Sequence, residues 1–586
     1  MQHQGLQSVT PLIEAAEAYP AIEEAIIEAR EEIFLAYWTF APTMHLTSAK
    51  APADVSDWQS LIGRKVREGV RVRMLISDFD PVFTGAFHAD ATRAYLKLMA
   101  LRGQLPEKVR PNFQIVLSRN YARPGRLFEI LMQPLRQSML ASQCREARKL
   151  RRDQGGRKLA EWLQMRPGIW PETKMRADGP HMGRFLAYGP TYPAVHHEKT
   201  CLIDGKIAFL GGLDIHPKRF DDARHTAEDA WHDLSIRIEG GAIPALASRL
   251  ARRWNNERRE FEERSDGQIA PSTSALPTPL QPIRLCPTDP IESPWMGCDL
   301  AEAQTACSPH SAPKAAGKIP RAKDIVRVCS TDAAQRRTWL RRVPPPGASS
   351  IRDCFLQLIE EAETLLYIET QYFRDPVIGR ALARRAKYAP NLRVILVLPL
   401  VPDLMADTRD ANMASRHGNW LQWRNVTRVR RAFGHRAEAY TLIRNGPAKP
   451  EAQPQVVAHG SDMVYCHAKL MMVDDRACIL GSANLNGRSL RLDTEACVEW
   501  RDASAIEPFR KRLWQQHFGA QESHSRGAHA PLIEASLAEA PGVWHHLAVC
   551  NTLHPPGERA GFIVPFPEEH LQYAARWSPL VPSAGV

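Results

Sequence analysis

Residues 195–205 read VHHEKTCLIDG and residues 465–475 read YCHAKLMMVDD, and both stretches contain His, one residue, Lys, four residues and Asp. The residues of this repeated pattern are His197, Lys199, Asp204, His467, Lys469 and Asp474. The residues from each His to the apolar run after the Lys predict a short buried strand, with the Asp at the strand end. Because alternate side chains of a strand share a face, the His and the Lys of each copy are expected to point together.

The similarity continues downstream of each copy. A turn of small residues begins fourteen positions after each His, and it reads Gly211-Gly212-Leu213-Asp214 in one case and Gly481-Ser482-Ala483-Asn484 in the other. Small residues let backbone N–H groups approach a bound anion, so Gly211, Gly212 and Ser482 are candidate substrate-binding positions. An acidic residue follows each turn, Asp233 in one copy and Glu495 in the other. Two copies with the same downstream turn favour a functional repeat over two core histidines that merely satisfy hydrogen bonds.

The chain of 586 residues is long enough for two or three domains. A stretch rich in Pro, Ser and Ala separates two regions, and each region carries a helical apolar pattern followed by a buried strand. This alternation predicts an α/β architecture built from a duplicated, pseudo-symmetric pair of domains. The predicted division is a first catalytic domain over 1–265, a linker or irregular excursion over 266–324, a second catalytic domain over 325–520 and a C-terminal extension over 521–586.

Composition limits the classes of function. The net charge of +11 suits a phosphate-rich partner, either an anionic lipid surface or nucleic acid. The basic charge is densest over 136–158, where a solvated helix and a membrane contact remain open alternatives. The eleven cysteines form no Cys-x-x-Cys motif, so zinc and redox sites are not indicated. Because no apolar run spans a bilayer and residues 1–10 lack a secretory signal, we expect a cytoplasmic protein, or one exported without a cleavable signal peptide, in peripheral contact with membranes.

The paired motifs resemble the phospholipase D superfamily, and the resemblance covers most of residues 20–265 and 325–518. Three further stretches look like its lipase branch, namely Leu366-Tyr367-Ile368-Glu369-Thr370-Gln371-Tyr372-Phe373, Phe209-Leu210-Gly211-Gly212-Leu213-Asp214 and Trp231-His232-Asp233-Leu234. The resemblance implies two α/β/α sandwich domains with mixed sheets and one composite active site at their interface. The chain departs from the larger lipases in its short stretch between Asp214 and Trp231, and no lipid-binding module of the usual kind precedes the catalytic region.

The resemblance also implies a covalent phosphohistidine, with His197 as nucleophile and His467 as general acid and base. Lys199 and Lys469 would hold the phosphoryl oxygens, and Asn484 could donate to the same oxygens.

Each histidine needs an acidic partner, and the resemblance assigns Glu495 to His197 and Asp233 to His467, across the interface. Ionised Asp214 only accepts hydrogen bonds, so it is expected to orient a Lys or His. Although Asp204 and Asp474 belong to the catalytic motifs, we expect them to brace the fold around the site.

These features predict a phospholipase D that cleaves the headgroup-side phosphodiester of glycerophospholipids, with transphosphatidylation as a further outcome. We expect no cofactor and no metal, because two lysines already neutralise the phosphate. The expected partner is a phospholipid membrane surface, with no obligate nucleic acid, and the internal repeat suggests a monomer. Three alternatives remain: a nuclease-branch phosphodiesterase, a cardiolipin synthase-type phosphatidyltransferase and an inactive lipid- or nucleic-acid-binding module.

Overall fold

The computed structural model describes residues 8–176, 178–183, 189–264, 280–292, 326–335, 338–401, 413–519, 542–559 and 561–567. Most of the predicted linker over 266–324 and much of the predicted C-terminal extension over 521–586 therefore lie outside the described residues. The described part of the linker packs on the first half of the chain, where the Cys286 N–H donates to the Tyr95 hydroxyl at 2.9 Å.

The first half of the chain alternates helices with short strands. Its elements are β1 (Ser8–Ile13), α1 (Glu14–Glu28), β2 (Glu32–Tyr37), α2 (Trp58–Arg67), β3 (Arg71–Asp78), α3 (Gly85–Gln104), β4 (Phe113–Arg119), α4 (Arg126–Gln164), β5 (Thr173–Arg176), β6 (Gly179–Met182), β7 (Thr200–Ile203), β8 (Ile207–Gly211), β9 (Trp231–His232), β10 (Leu234–Glu239) and α5 (Ile243–Glu262). Local sequence explains several ends; for example, Asp57 and Ser60 form a capping box at the start of α2.

The second half repeats this alternation. Its elements are β11 (Val326–Ala333), β12 (Pro346–Ser349), α6 (Ser350–Glu361), β13 (Leu365–Thr370), α7 (Pro376–Arg385), β14 (Arg393–Val397), α8 (Met413–Phe433), β15 (Ala437–Ile443), β16 (Val457–Ala458), β17 (Ser461–Cys466), β18 (Lys469–Val473), β19 (Ala477–Gly481), β20 (Glu495–Trp500), α9 (Ala503–His517), α10 (Gly542–Leu553) and β21 (Ile563–Pro565). Helix α7 begins at Pro376, and the side chain of Asp375 accepts hydrogen bonds from two N–H groups of its first turn.

The two large sheets have the same strand order. The first sheet runs β1-β10-β8-β7-β2-β3-β4, and the second contains β11-β20-β19-β18-β13-β14-β15 in the same relative positions. In both sheets the last three strands of this order are parallel and the others are antiparallel, so the sheets are mixed. The predicted α/β class with an internal duplication is therefore confirmed by the topology.

The two halves are joined through backbone pairing as well as through side chains. Strand β9 of the first half pairs in parallel with β17 of the second, and the second sheet thereby acquires a strand from the first half. A reciprocal parallel bridge joins His196 to Thr494. A single large apolar core also runs through both halves, from α1 and β2 to β18 and α9. The halves therefore meet along a pseudo-twofold seam.

Each motif aspartate closes a turn at the far end of its strand. Asp204 accepts hydrogen bonds of 2.8 Å from the N–H groups of residues 30, 31 and 32. Asp474 accepts bonds of 2.7–2.8 Å from the N–H groups of residues 363, 364 and 365. Both residues have a φ of 50°, in the left-handed region. The aspartates thus tie the motif strand to the start of the neighbouring strand, β2 or β13, and act on the fold.

Substitution of Asp474 by Ala is expected to lower the free energy of unfolding by about 2 kcal/mol, because several backbone N–H groups lose a charged acceptor. Burial alone would raise the pKa of Asp474. The hydrogen bonds from these N–H groups outweigh burial and hold that pKa below its usual value. The stabilisation should therefore be complete above about pH 4 and disappear as the pH falls through the lowered pKa.

Chemical denaturation of the wild-type and variant proteins between acidic and neutral pH measures this difference. Asp353→Ala, at an exposed position in α6, is the matched control and should change stability by less than about 0.5 kcal/mol. An Asp474→Ala protein of wild-type stability at neutral pH would contradict the bracing role.

Candidate active site

His197 lies three residues before the start of β7, in a segment held by the other half of the chain. Its backbone N–H donates to the Thr494 carbonyl at 2.8 Å, and its Nδ1 lies 3.1 Å from the Glu495 carboxylate. The ring of Trp38 packs against it, with 5.6 Å between the ring centroids. The backbone and the ring of His197 are therefore both positioned by the second half, at the residues that begin β20.

His467 has the mirror-image environment. Its backbone N–H donates to the His232 carbonyl at 2.7 Å, and its Nδ1 lies 2.6 Å from the Asp233 carboxylate. Trp231 covers its ring at a centroid distance of 4.8 Å. These are the two cross-interface pairs that the resemblance implied. In each pair Nδ1 is occupied by the acid, which leaves Nε2 to meet a substrate.

Lys199 directly precedes β7 and Lys469 begins β18, and both side chains are almost completely buried. Lys199 Nζ donates to the carbonyl of His197 at 2.6 Å, and Lys469 Nζ donates likewise to the carbonyl of His467. Lys199 Nζ also lies 3.6 Å from the Asp214 carboxylate. Strands β7 and β18 start later than predicted, at Thr200 and Lys469, because the preceding residues pair across the seam instead of within their own sheet.

Burial shifts the ionisable groups of the site towards their uncharged forms. Burial, followed by the charge of the neighbouring lysine, lowers the pKa of His197 and of His467 well below the usual histidine value. Burial also raises the pKa of Asp233 to about 6 and that of Glu495 to about 7. It lowers the pKa of Lys469 to about 8. An anionic phosphodiester would oppose these shifts by favouring the cationic forms of Lys and His.

Asp214 and Asn484 occupy equivalent positions but have different partners. Asp214 accepts a hydrogen bond from the Thr39 N–H at 2.8 Å as well as pairing with Lys199, so it orients that lysine. The Asn484 amide donates to Gln371 Oε1 at 3.0 Å, and Gln371 in turn donates to the Tyr465 hydroxyl at 3.0 Å. The site is thus pseudo-symmetric in backbone and asymmetric in side chains.

The small residues of the two turns permit close packing around the acids. A Cβ on Gly212 would overlap the carboxylate of Asp233, and a Cβ on Gly211 would meet Ser235 and the backbone of residue 234. The hydroxyl of Ser482 instead donates to the Glu495 carboxylate. In this structure the turn residues 211, 212 and 482 contact the acid or the strand that carries it, which gives them a packing or orienting role beside the predicted contact with substrate.

The sequence did not reveal a buried cluster behind Asp233. His232 lies between two carboxylates, since Glu14 contacts its Nδ1 and Glu369 lies 2.7 Å from its Nε2. Although burial acts in the opposite direction, these carboxylates raise the pKa of His232 well above its usual value. Glu14 also accepts a hydrogen bond from the Asp233 N–H at 3.1 Å. The cluster therefore fixes the backbone that carries the partner of His467.

His196, which directly precedes His197, is also buried. Its Nδ1 lies 2.8 Å from the Thr494 hydroxyl, and its Nε2 lies 2.8 Å from the Glu257 carboxylate. His196 therefore fastens the segment before His197 to both halves. Glu14 and Glu257 carry no local sequence signal for these roles, because they lie more than fifty residues from the histidines that they contact.

Within the part of the chain that the structure describes, three buried groups of residues, none of which contains a motif His or Lys, have potential metal ligands close together. They are Glu14, His225 and His232; His232, Glu369 and His517; and Cys329, Cys354 and Glu499. A metal ligand must be deprotonated, whereas His232 has a raised pKa and holds a carboxylate at each ring nitrogen. The third group is engaged internally, since the Cys354 thiol donates to Glu499 at 3.2 Å. The donor chemistry of these three groups therefore does not favour a metal ion within them.

A cavity of about 680 Å³ lies on the outer side of Trp38 and Trp231, and neither His197 nor His467 lines it. Its walls include Trp38 and Trp231, the rings that pack on His197 and His467. Phe79 and Phe87 widen the apolar wall, and Arg219 lies 3.7 Å above the ring of Trp231. The cavity therefore has apolar walls with both basic and acidic side chains, and the two tryptophans separate it from the paired histidines. Among the described residues, no helix is long and apolar enough to cross a bilayer.

Comparison with known proteins agrees with this geometry. A family model described as "Cardiolipin synthase, PLD-like domain" matches residues 355–517. Phospholipase D zeta 2 of Arabidopsis thaliana is 23% identical over 495 residues, which cover 61% of this chain and 46% of that protein. Phospholipase D2 of Bos taurus is 23% identical over 558 residues, covering 85% of this chain and 49% of that protein. The chain thus spans less than half the length of these relatives.

Among solved structures, phosphatidylserine synthase of Haemophilus influenzae aligns with a TM-score of 0.44 and 15% identity, covering 87% of this chain and 86% of that chain. The sequence relatives and the family match, together with two His-x-Lys-x4-Asp motifs in a duplicated fold, lead to one conclusion. The chain belongs to the phospholipase D superfamily.

Proposed function

We propose that the protein is a phospholipase D that hydrolyses the headgroup-side phosphodiester of glycerophospholipids to phosphatidic acid and a free headgroup alcohol. The observation that carries the proposal is the reciprocal pairing of His197 with Glu495 and of His467 with Asp233 across one seam. This pairing supports one composite site with two histidines, whose Nε2 atoms approach a single phosphorus from opposite sides.

In the first step, the lone pair of His197 Nε2 forms a bond to phosphorus, and the bond from phosphorus to the headgroup oxygen breaks. The proton on His467 Nε2 passes to the departing alkoxide, which is otherwise a poor leaving group. In the second step, water gives a proton to His467 and its oxygen attacks phosphorus. The bond from phosphorus to His197 then breaks, which restores both imidazoles and releases phosphatidic acid. An alcohol in place of water gives transphosphatidylation.

The lysines supply the positive charge that the transition state needs. Lys199 and Lys469 converge from the two halves, and each lowers the pKa of the histidine on its own motif. Buried cations that are positioned before reaction stabilise developing negative charge without reorganisation. The same burial disfavours the protonated form of both imidazoles, and a bound anionic diester would oppose this shift, so that His467 gains its proton when substrate binds while His197 stays neutral.

Two rival activities use the same site. The description of the matched family model favours phosphatidyl transfer of the cardiolipin synthase type, and the positive net charge would suit a nuclease. The lipase-like strand at β13 and the named relatives support the lipase. Assays of the purified protein with phosphatidylcholine, phosphatidylglycerol and single-stranded DNA separate the three, since only a lipase releases choline, only a cardiolipin synthase joins two phosphatidylglycerols and only a nuclease shortens DNA.

The variant His467→Ala should accumulate a phosphoryl adduct on His197 when it is supplied with a p-nitrophenyl diester. That leaving group needs no proton, so the first step proceeds, whereas the second step lacks its general base. Mass spectrometry of the acid-sensitive adduct under neutral quench identifies the modified residue. The matched variant His197→Ala should form no adduct; an adduct on His467 in that protein would reverse the two roles.

The dependence of kcat/KM on pH should be bell-shaped for a soluble diester. The acid limb should lie below pH 6.5, because burial lowers the pKa of both imidazoles. If Lys469, with its pKa lowered to about 8 by burial, sets the alkaline limb, Lys469→Arg should move that limb upward, since arginine stays protonated. The variant should lose about 100-fold in rate at neutral pH. An unmoved alkaline limb would show that a histidine proton sets it.

Hydrolysis of a soluble diester should be unchanged in EDTA, because the motif lysines carry the charge that a metal would otherwise supply. The soluble substrate separates the chemical step from any effect of divalent cations on a lipid surface. Loss of this activity in EDTA, with recovery on addition of a divalent cation, would require a metal-dependent mechanism.

A further inference from the structure

Most of the large hydrophobic side chains that are exposed among the described residues lie close together. Among the residues that the structure describes, nine large hydrophobic side chains are exposed, and six of them lie at the start of α4 or in the loop packed against it. We call these six residues the α4 apolar patch: Leu127, Ile130, Leu131, Leu135, Trp339 and Leu340. Their exposed fractions range from 47% to 77%. Such a cluster on a soluble domain marks an interaction surface.

The α4 apolar patch is part of the folded structure, because the loop that carries Trp339 and Leu340 is hydrogen-bonded to the start of α4. The Gly125 N–H donates to the Arg341 carbonyl at 2.7 Å, and the Leu127 N–H donates to the Trp339 carbonyl at 3.1 Å. A Cβ on Gly125 would lie 2.7 Å from the Trp339 carbonyl, so only glycine allows this approach. The Arg126 guanidinium lies over the Trp339 ring at 5.1 Å. Helix and loop thus present one surface with an arginine among its apolar residues.

The exposed face of α4 continues from the patch into a basic region. Leu127, Leu131 and Leu135 repeat every four residues, and Ser138 and Ser142 extend the same face. The next exposed positions on that face are Arg145, Lys149 and Arg152, which we call the α4 basic end. At 1.5 Å per residue, Leu135 of the patch and Arg145 of the basic end are about 15 Å apart along the helix. One helix face therefore carries an apolar part followed by a cationic part.

We propose that the α4 apolar patch and the α4 basic end together form the surface by which the protein docks on an anionic phospholipid bilayer. A bilayer interface receives apolar side chains below its headgroups and attracts Lys and Arg to its anionic lipids. A second copy of this chain would place arginines against arginines at the patch, since Arg126 and Arg341 are exposed there. Charge complementarity therefore favours a lipid surface over self-association.

The buried side of the same helix holds the segment that leads to His197. Gln133 Nε2 donates to the Gly189 carbonyl at 3.0 Å, and the Thr191 N–H donates to the Glu129 carboxylate at 3.2 Å. Only five residues separate Thr191 from His197. The docking surface and the catalytic segment are therefore attached to opposite sides of one helix, and the use of this link to act on bilayer lipids rests on the proposed lipase function.

The docking surface is tested by co-sedimentation with vesicles of phosphatidylcholine, with and without phosphatidylserine. Leu131→Glu combined with Leu135→Glu should weaken vesicle binding at least about tenfold. The matched control is Tyr388→Glu combined with Leu553→Glu, which changes two exposed hydrophobic side chains outside the patch and should bind as the wild type does.

The basic end is tested separately. The triple variant Arg145→Glu, Lys149→Glu and Arg152→Glu should lose the preference for vesicles that contain phosphatidylserine. The triple variant Arg384→Glu, Lys387→Glu and Arg431→Glu has the same net charge at exposed positions elsewhere and should keep that preference. The two double variants and the two triple variants should all hydrolyse a soluble diester at the same rate. Equal rates would show that all four proteins are folded. Because vesicle binding needs no turnover, a failure of the proposed lipase function would leave this result unaffected.

The fluorescence of Trp339 reports directly on contact between the α4 apolar patch and lipid. Brominated lipids should quench part of the tryptophan fluorescence of the wild type, and Trp339→Phe should remove that part of the quenching. Wild-type vesicle binding by the Leu131→Glu, Leu135→Glu protein would overturn the proposal. A fall in molecular mass on the same substitutions, measured by analytical ultracentrifugation, would also overturn it and assign the patch to a second copy of the chain.

Discussion

The catalytic arrangement depends on backbone hydrogen bonds that cross the seam between the two halves. The N–H of His467 bonds to the carbonyl of His232, and the N–H of His197 bonds to the carbonyl of Thr494. In each case the accepting residue comes directly before the acid that pairs with the histidine ring. One register therefore sets both the position of the imidazole and the position of its carboxylate. A shift of a single residue would turn each acid to the opposite side of its strand.

Burial of the seam gives these groups their chemical character. Removing two histidines, two lysines and two acids from water disfavours every charged form, and the pKa directions of His197, Lys469 and Glu495 all follow from it. The site is therefore a low-dielectric cavity in which an added phosphate finds strong, preorganised partners. The same groups on the surface would be screened by solvent and would lose much of this effect.

The pseudo-symmetry of the backbone does not extend to the side chains. Asp214 orients a lysine in the first half, whereas Asn484 joins an amide and hydroxyl network in the second. Behind Asp233 the second half contributes Glu369 to hold His232, and the start of α1 contributes Glu14. Such differences allow two histidines in matching frames to perform different steps of one reaction. They also make the surfaces around the site unequal, with α4 present on one side alone among the described residues.

The sequence by itself determined the repeated motif and the α/β alternation, because these depend on local patterns and on matching offsets, and the resemblance to the family implied the acidic partners of the two histidines. It also placed Asp204 and Asp474 as braces, since an aspartate at a strand end next to a turn has a simple use. Only the tertiary structure decided the late start of β7 and β18, the clamp of Glu14 and Glu369 on His232, and the burial of His196. Each of these depends on contacts between residues far apart in the chain, which local propensity does not encode. The sequence showed the basic run on α4, but the exposure of Leu131 and the loop that places Trp339 beside it depend on how α4 packs, and that is a property of the fold.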